Sequence, residues 1–299
     1  MILVIGDSML DRYWFGDATR LSQEAPVPIV KMLREEQRPG AAANVAMNCA
    51  AMGAKTALTT ILGRDVYAEA LQAIVLDHGI SNVCVRDCAI KTTQKLRVIG
   101  KQQQIARIDI EDRPGPEAVD AMSSAAKRMM ASAEVVIISD YGKGALTNVR
   151  ALIEHAKGLG KTVLVDPKGH DYNKYRGADL VKPNINEMRE LCGGWDSEDQ
   201  LAKKALDTLK NGNFGAILLT RAADGMSLFS AIGDPIHIQT VAKEVFDVSG
   251  AGDTAIAAFA VALTRGHSMA DAVCYANKAA GVAVSKFGTV AVSESEVFG

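Results

Sequence analysis

The chain has 299 residues, 48% hydrophobic and 23% charged, enough for a substantial α/β core in one large domain or two modest ones. Lys and Arg number 33 against 35 Asp and Glu, a net charge of -2, which excludes a general electrostatic pull toward nucleic acid. The five scattered cysteines (Cys49, Cys84, Cys88, Cys192, Cys274) fit no CxxC or zinc-finger spacing and read as reduced thiols of a cytoplasmic protein, and no run approaches the roughly 18 apolar residues of a membrane span.

The apolar run 2–5 predicts a strand buried on both faces, and Gly6-Asp7 follows it at once, as after a first strand rather than within a signal peptide. In open parallel sheets ligands gather beyond the carboxyl ends of strands. Asp7, in such a position, reads best as a turn cap. Asp11 lies among Arg12, Tyr13 and Trp14, a mixture of polar and aromatic groups that suits a sugar. Residues 27–31 predict a strand that Pro26 and Pro28 confine to an edge. Residues 38–54 then predict a small-residue helix whose start carries Gly40 and whose end is stopped by Gly53. Asn44 and Asn48 share one face of that helix, and Asn44 is either a satisfied polar residue or a ligand contact.

Residues 55–61, 66–78 and 80–85 predict strand, helix and strand. Residues 95–100 and 103–110 alternate as a hairpin-like pair. This pair, with 13–16 and 27–31, departs from strand–helix alternation and predicts a small separate sheet, a lid assembled from segments near 12–33 and 90–110. The alternation returns with helix 116–130, strand 135–139, helix 148–159 and strands 162–165 and 180–181. These three strands end in Asp140-Tyr141-Gly142-Lys143-Gly144, Asp166-Pro167-Lys168-Gly169-His170 and Lys182-Pro183-Asn184-Ile185-Asn186-Glu187, the layout of a site along the rim of a parallel sheet. Lys143 and Lys168 are there either solvated charges or anion clamps. Strands 216–220, 226–229 and 236–241 and helices 254–264 and 269–286 complete what reads as one domain over 1–299.

Asp247-Val248-Ser249-Gly250-Ala251-Gly252-Asp253-Thr254 leads into the first of those last helices. Gly250 and Gly252 permit a sharp turn and close backbone approach, and a helix N-terminus adds unpaired donors and partial positive charge. Asp253 is a good first-turn residue in its own right. Beside a phosphate cradle, however, a carboxylate repels the anion, and taking the proton of an attacking hydroxyl would explain that cost. A dinucleotide fingerprint fits formally at Gly250 to Ala255, but too little chain follows to build a nucleotide-binding half. Gly160-Lys161-Thr162 is no P-loop, because His155 stands where that loop requires glycine. Neither the protein-kinase loops nor a hydrolase elbow is present.

With Gly40 to Asn44 and Asp247 to Thr254 in this order, the chain resembles the ribokinase-like (PfkB) family of carbohydrate kinases across essentially its whole length. One departure is Gly40-Ala41 where the family usually has Gly-Gly. The resemblance implies a three-layer α/β/α domain with a mostly parallel central sheet and a small β-sheet lid. Residues 6–16, 139–144, 166–178 and 182–187 look most like the heptose-7-phosphate kinases of that family. This implies transfer of the ATP γ-phosphate to the anomeric C1 hydroxyl of D-glycero-β-D-manno-heptose 7-phosphate, for ADP-heptose and lipopolysaccharide core synthesis. The nucleotidyltransferase domain of some relatives is not expected in a chain that stops at Gly299.

Carried over residue by residue, the resemblance makes Asp253 the base and Gly250, Ala251 and Gly252 the anion hole. Asn184 and Glu187 match an Asn-x-x-Glu that organises phosphate and magnesium, Glu187 through water. Thr220, Arg221 and Gly225 are expected on the nucleotide side, with Asn277 near the adenine. Asp11, Gly40 and Asn44 are expected to hold sugar hydroxyls, and Arg12, Arg107, Lys143 and Lys168 are candidates for the 7-phosphate. ATP and Mg2+ are the implied cofactors, with no nucleic-acid or membrane partner. Exposed lid edges, which proteins seldom leave bare, lead to the expectation of a lid-to-lid homodimer. A kinase of another sugar or nucleoside, and a non-catalytic sugar- or nucleotide-binding regulator on the same fold, are the alternatives.

Overall fold

A computed structural model describes every residue except Gln102 and Lys243. In chain order its first elements are β1 (Ile2–Gly6), β2 (Ser8–Leu21), β3 (Pro28–Ala41), α1 (Ala42–Ala51), β4 (Thr56–Leu62), α2 (Val66–Asp77) and β5 (Ser81–Arg86). Next come β6 (Gln94–Gly100), β7 (Gln103–Ile110), α3 (Pro116–Met130), β8 (Val135–Ser139), α4 (Val149–Gly158), β9 (Thr162–Asp166) and β10 (Leu180–Val181). The chain continues with α5 (Ile185–Cys192), α6 (Glu198–Gly212), β11 (Ala216–Thr220), β12 (Met226–Ser230), β13 (Ile236–Ile238), α7 (Ala251–Thr264) and α8 (Met269–Val284).

The central sheet has the order β13-β12-β11-β10-β9-β8-β1-β4-β5. All pairings from β5 to β11 are parallel, and β12 and β13 close one edge antiparallel. Strand β1 is buried at every position, as its unbroken apolar run requires. Its alternate side chains serve two cores. Ile2 and Val4 pack with α1, α2, α7 and α8, whereas Leu3 and Ile5 pack with α3, α4, α5 and α6. Alanines 42, 43 and 46 of α1 and 255, 257 and 258 of α7 are fully buried, and their small size lets these two helices lie against each other. Because β1 pairs with β8 on one side and β4 on the other, the chain switches direction there, and ligands collect past the carboxyl ends at such a point.

The second sheet has four strands in the order β3-β2-β6-β7, with β2 and β6 parallel. Its long strands reach further than expected. β2 begins just after β1, and β3 runs directly into α1, so Asp11 and Gly40 belong to this sheet rather than to loops or a helix start. Register shifts between Phe15 and Gly16 and between Asp17 and Arg20 break the period-2 pattern that would have marked one continuous strand. At the other end, β13 stops at Ile238, short of the expected Val241, because the Gln239 carbonyl accepts from Asn277 Nδ2 of α8 at 2.7 Å instead of from a strand. Among the described residues all cysteines are free and no helix is long and apolar enough to cross a membrane.

Candidate active site

Helix α7 starts from Gly250, whose φ of 77° is left-handed. A methyl there would also lie 2.7 Å from Asn44 Nδ2, so only glycine fits. First-turn amides of a helix have no intrahelical partner; the Ala251 N–H is nevertheless engaged, donating to the Val248 carbonyl at 3.3 Å. Asp253 follows in that turn and is 2% exposed. Asn44 Nδ2 donates to its Oδ2 at 2.9 Å and the Tyr141 hydroxyl to its Oδ1 at 2.6 Å. Burial, and then the nearby Asp166 carboxylate, push the Asp253 carboxyl up to about 7, against the opposing pull of Asn44, Tyr141 and Lys182. A carboxyl poised near neutrality is matched to proton abstraction. Tyr141, driven well above the ordinary tyrosine value by burial and then by Asp253, stays a donor.

The neighbouring strand ends hold these groups in place. Asp7, just after β1, accepts backbone N–H groups of Tyr141 at 3.0 Å, Lys143 at 3.1 Å and Ala145 at 3.1 Å. It thus pins the loop after β8, the capping role its sequence position suggested. Asn48 Nδ2 donates to the Asn44 carbonyl at 3.0 Å and to its Oδ1 at 3.1 Å, leaving the Asn44 amide hydrogens turned toward Asp253. At the end of β9 and just after β10, Asp166 and Lys182 pair at 3.0 Å. Tyr141, Asp166 and Lys182 were not singled out from sequence; the only signal was their place on the rim of strand ends.

On the second sheet, Asp11 is 3% exposed. Its Oδ1 accepts from Arg97 at 2.6 Å and its Oδ2 from Thr289 Oγ1 at 3.3 Å. A methyl on Gly40 would lie 2.6 Å from Asp11 Oδ2, so Gly40 and Asp11 form one wall. Ala41 has φ 56° and ψ -130°, a backbone state suited to glycine. Alanine in this state is a local backbone strain.

The register sets Asp11, Lys95 and Asp109 in one row across the sheet and Tyr13, Arg97 and Arg107 in the next. Lys143 lies within electrostatic reach of Lys95, as do Arg107 and Asp11, and it pairs with Glu111 at 2.6 Å. Arg107 and Lys143 are therefore gathered near Asp11, together with Lys95 and Arg97, which sequence reasoning passed over. Arg12 is not. It pairs with Glu35 at 2.7 Å, donates to Gln94 at 3.0 Å and covers the Tyr67 ring, because successive strand residues face opposite sides. Lys168 is also apart, 3.4 Å from Glu187.

Asn184 and Glu187 cap α5 reciprocally, each bond 3.0 Å long, so this spacing has a structural reason as well. Thr220 bridges to Asn184 between β11 and the start of α5. Arg221 is held by Glu198 at 2.6 Å. Gly225 has φ 81°, and a methyl there would strike the Ile238 carbonyl. Gly225, against Ile238, and Asn277, on Gln239, brace the chain leading to α7. Among the described residues no group of three or more His, Cys, Asp or Glu could hold a metal ion alone. Mg2+ is commonly bound through phosphates, water and one or two carboxylates, a donor set to which Glu187 can contribute.

The model of the pfkB family carbohydrate kinases matches residues 1–296. The chain belongs to the pfkB family of carbohydrate kinases. This pfkB kinase chain is 46% identical over 298 residues to a D-beta-D-heptose 7-phosphate kinase of Bordetella bronchiseptica, covering 100% of the chain and 95% of that protein. It is 44% identical to the bifunctional protein HldE of Chromohalobacter salexigens over 99% of its own length, which is 62% of that longer protein. Phosphofructokinase-2 from Escherichia coli in complex with potassium has the same fold, with a TM-score of 0.84 at 18% identity, covering 100% of this chain and 96% of that one. Arabidopsis thaliana ribokinase complexed with ribose and ATP gives 0.77 at 20% identity, covering 99% and 97%.

Proposed function

We propose that this pfkB kinase phosphorylates the anomeric hydroxyl of D-glycero-β-D-manno-heptose 7-phosphate to the 1,7-bisphosphate with ATP, in the cytoplasm, toward ADP-heptose and the lipopolysaccharide core. The observation that carries the chemistry is Asp253, buried among donors at the start of α7 with a carboxyl near neutrality. Full-length similarity to a D-beta-D-heptose 7-phosphate kinase supports the choice of sugar, and the Lys95, Arg97, Arg107 and Lys143 cluster beside Asp11 supports a phosphorylated one.

Phosphoryl transfer requires positioning and charge neutralisation more than covalent help. Asp11 and Asn44 orient the sugar hydroxyls, and the basic cluster holds the 7-phosphate. Asp253 accepts the proton of the attacking hydroxyl, while first-turn amides of α7 stabilise the charge on the transferring group. Sugar kinases of this family generally use ATP and Mg2+; bound at Glu187, the metal would neutralise phosphate charge. Closure of the second sheet as a lid keeps water from competing as acceptor.

The test is ADP release with heptose 7-phosphate against unphosphorylated heptose. Dependence on the 7-phosphate is expected; equal turnover of both sugars, or preference for another sugar, contradicts the assignment. The outer strands β3 and β7 expose Met32, Leu33 and Ile108, and uncovered apolar edges favour pairing. A homodimer through this sheet is part of the proposal. Light scattering should give a dimer mass, and a monomer at working concentration contradicts it.

A further inference from the structure

Lysine is almost never fully buried without a partner, and Lys182 is 3% exposed. Its partner is Asp166, 3.0 Å away at the end of the adjacent strand. As a stabilising device the pair is a poor choice. Desolvating two charges offsets most of their attraction, and apolar residues of similar volume often do as well. The location carries the argument. A methyl built on Gly252 would lie 3.0 Å from Lys182 Nζ, so the ammonium stands against the first turn of α7. A cation is disfavoured there, because that end of the helix is already positive. An ammonium, the positive N-terminal turn of α7 and a carboxyl base therefore converge on one small volume, and an arriving anion turns this repulsion into attraction.

We propose that Lys182 is a catalytic residue whose ammonium contacts the phosphoryl group in transfer, with Asp166 holding it ready beforehand. This rests on the kinase reading above. In the step, the bond from the γ-phosphorus to the ADP oxygen breaks and its electron pair stays on ADP. A bond from that phosphorus to the sugar oxygen forms, and the hydroxyl proton passes to Asp253. Lys182 keeps all its protons and shares its charge between Asp166 and the moving oxygens. A side chain at Gly252 would crowd the ammonium, its Cβ lying 3.0 Å from Lys182 Nζ.

Lys182→Met alone would strand a buried carboxylate, so loss of activity could mean loss of the fold. The informative variant is Lys182→Met with Asp166→Asn, uncharged on both sides and close in volume. Melting temperature, ADP binding by calorimetry and kcat with ATP and heptose 7-phosphate are compared with the wild type. The double variant should melt near the wild type and bind ADP within about threefold, yet lose at least about a hundredfold in kcat, the size of losing one donor to a developing oxyanion. A folded double variant turning over within about tenfold of the wild type makes Lys182 only a counterion and overturns the proposal. If the double variant does not fold, Lys182→Arg decides, since it keeps the charge and displaces it. A fall of at least about tenfold in kcat, at unchanged sugar KM, is then expected, and a rate within about twofold overturns the proposal. A wild-type enzyme inert with ATP and the sugar phosphate refutes the kinase reading itself, whereas an active wild type beside an active double variant refutes only the role of Lys182.

Discussion

Removal of the Tyr141 hydroxyl is the most informative perturbation of the proposed base, Asp253. In the wild type this group donates to Asp253 Oδ1 at 2.6 Å and opposes the upward push of burial on a carboxyl that sits at about 7. A hydrogen bond to a charged group is worth about 1.5–3 kcal/mol. One pKa unit corresponds to about 1.4 kcal/mol, so Tyr141→Phe should raise the base by about one to two units. The direction follows from the donor, which favours the ionised form and is lost. The acid limb of the pH profile of kcat/KM should therefore move up by that amount, cutting activity at pH ~7 about five- to fiftyfold and restoring about half of it or more near pH ~9. Steady-state rates from pH ~5.5 to ~9.5, with a coupling system shown not to limit, provide the assay. An acid limb that stays in place or moves down would show that Tyr141 does not tune the base, and the electrostatic account of Asp253 would fail with it.

Ala41→Gly should stabilise the protein, because Ala41 holds φ 56° at a cost of about 1–2 kcal/mol, part of which glycine's extra unfolded-state freedom cancels. A rise in Tm of about 2 °C is expected by scanning calorimetry, and a lower Tm would contradict the strain. Gly40→Ala should raise the sugar KM at least about tenfold, since its methyl would lie 2.6 Å from Asp11 Oδ2 in a wall too tightly packed to absorb it. An unchanged KM would remove Asp11 from the sugar site.

Sequence grammar made the proposed base visible. Two glycines before an apolar helix, followed by a carboxylate, mark Gly250, Gly252 and Asp253 because turn geometry and helix ends are local. Tyr141, Asp166 and Lys182 were hidden, since a charge at a strand end reads the same whether it faces water or is sealed in. Only the fold supplies the burial. Lys95 and Arg97 were hidden for another reason. Their place beside Asp11 and Tyr13 comes from pairing β2 with β6, strands some eighty residues apart, and no local pattern carries that register. Arg12 shows the reverse error. Its neighbour Asp11 suggested a shared role, but strand alternation sends the two side chains to opposite faces. Gly225 and Asn277 are engaged in bracing the chain that leads to α7, and Arg221 pairs with Glu198 of α6, contacts that no local pattern marks. The mostly parallel sheet was legible from its buried apolar runs, while the second sheet was underestimated where its bulges interrupt the alternation.

The account rests on Asp253 as the group that deprotonates the sugar, and replacing its carboxylate by an amide of the same shape tests this most directly. Asp253→Asn, assayed for ADP release with ATP and heptose 7-phosphate, should bind ATP as the wild type does and lose at least about a hundredfold in kcat. A variant that binds ATP and turns over near the wild-type rate would contradict the account.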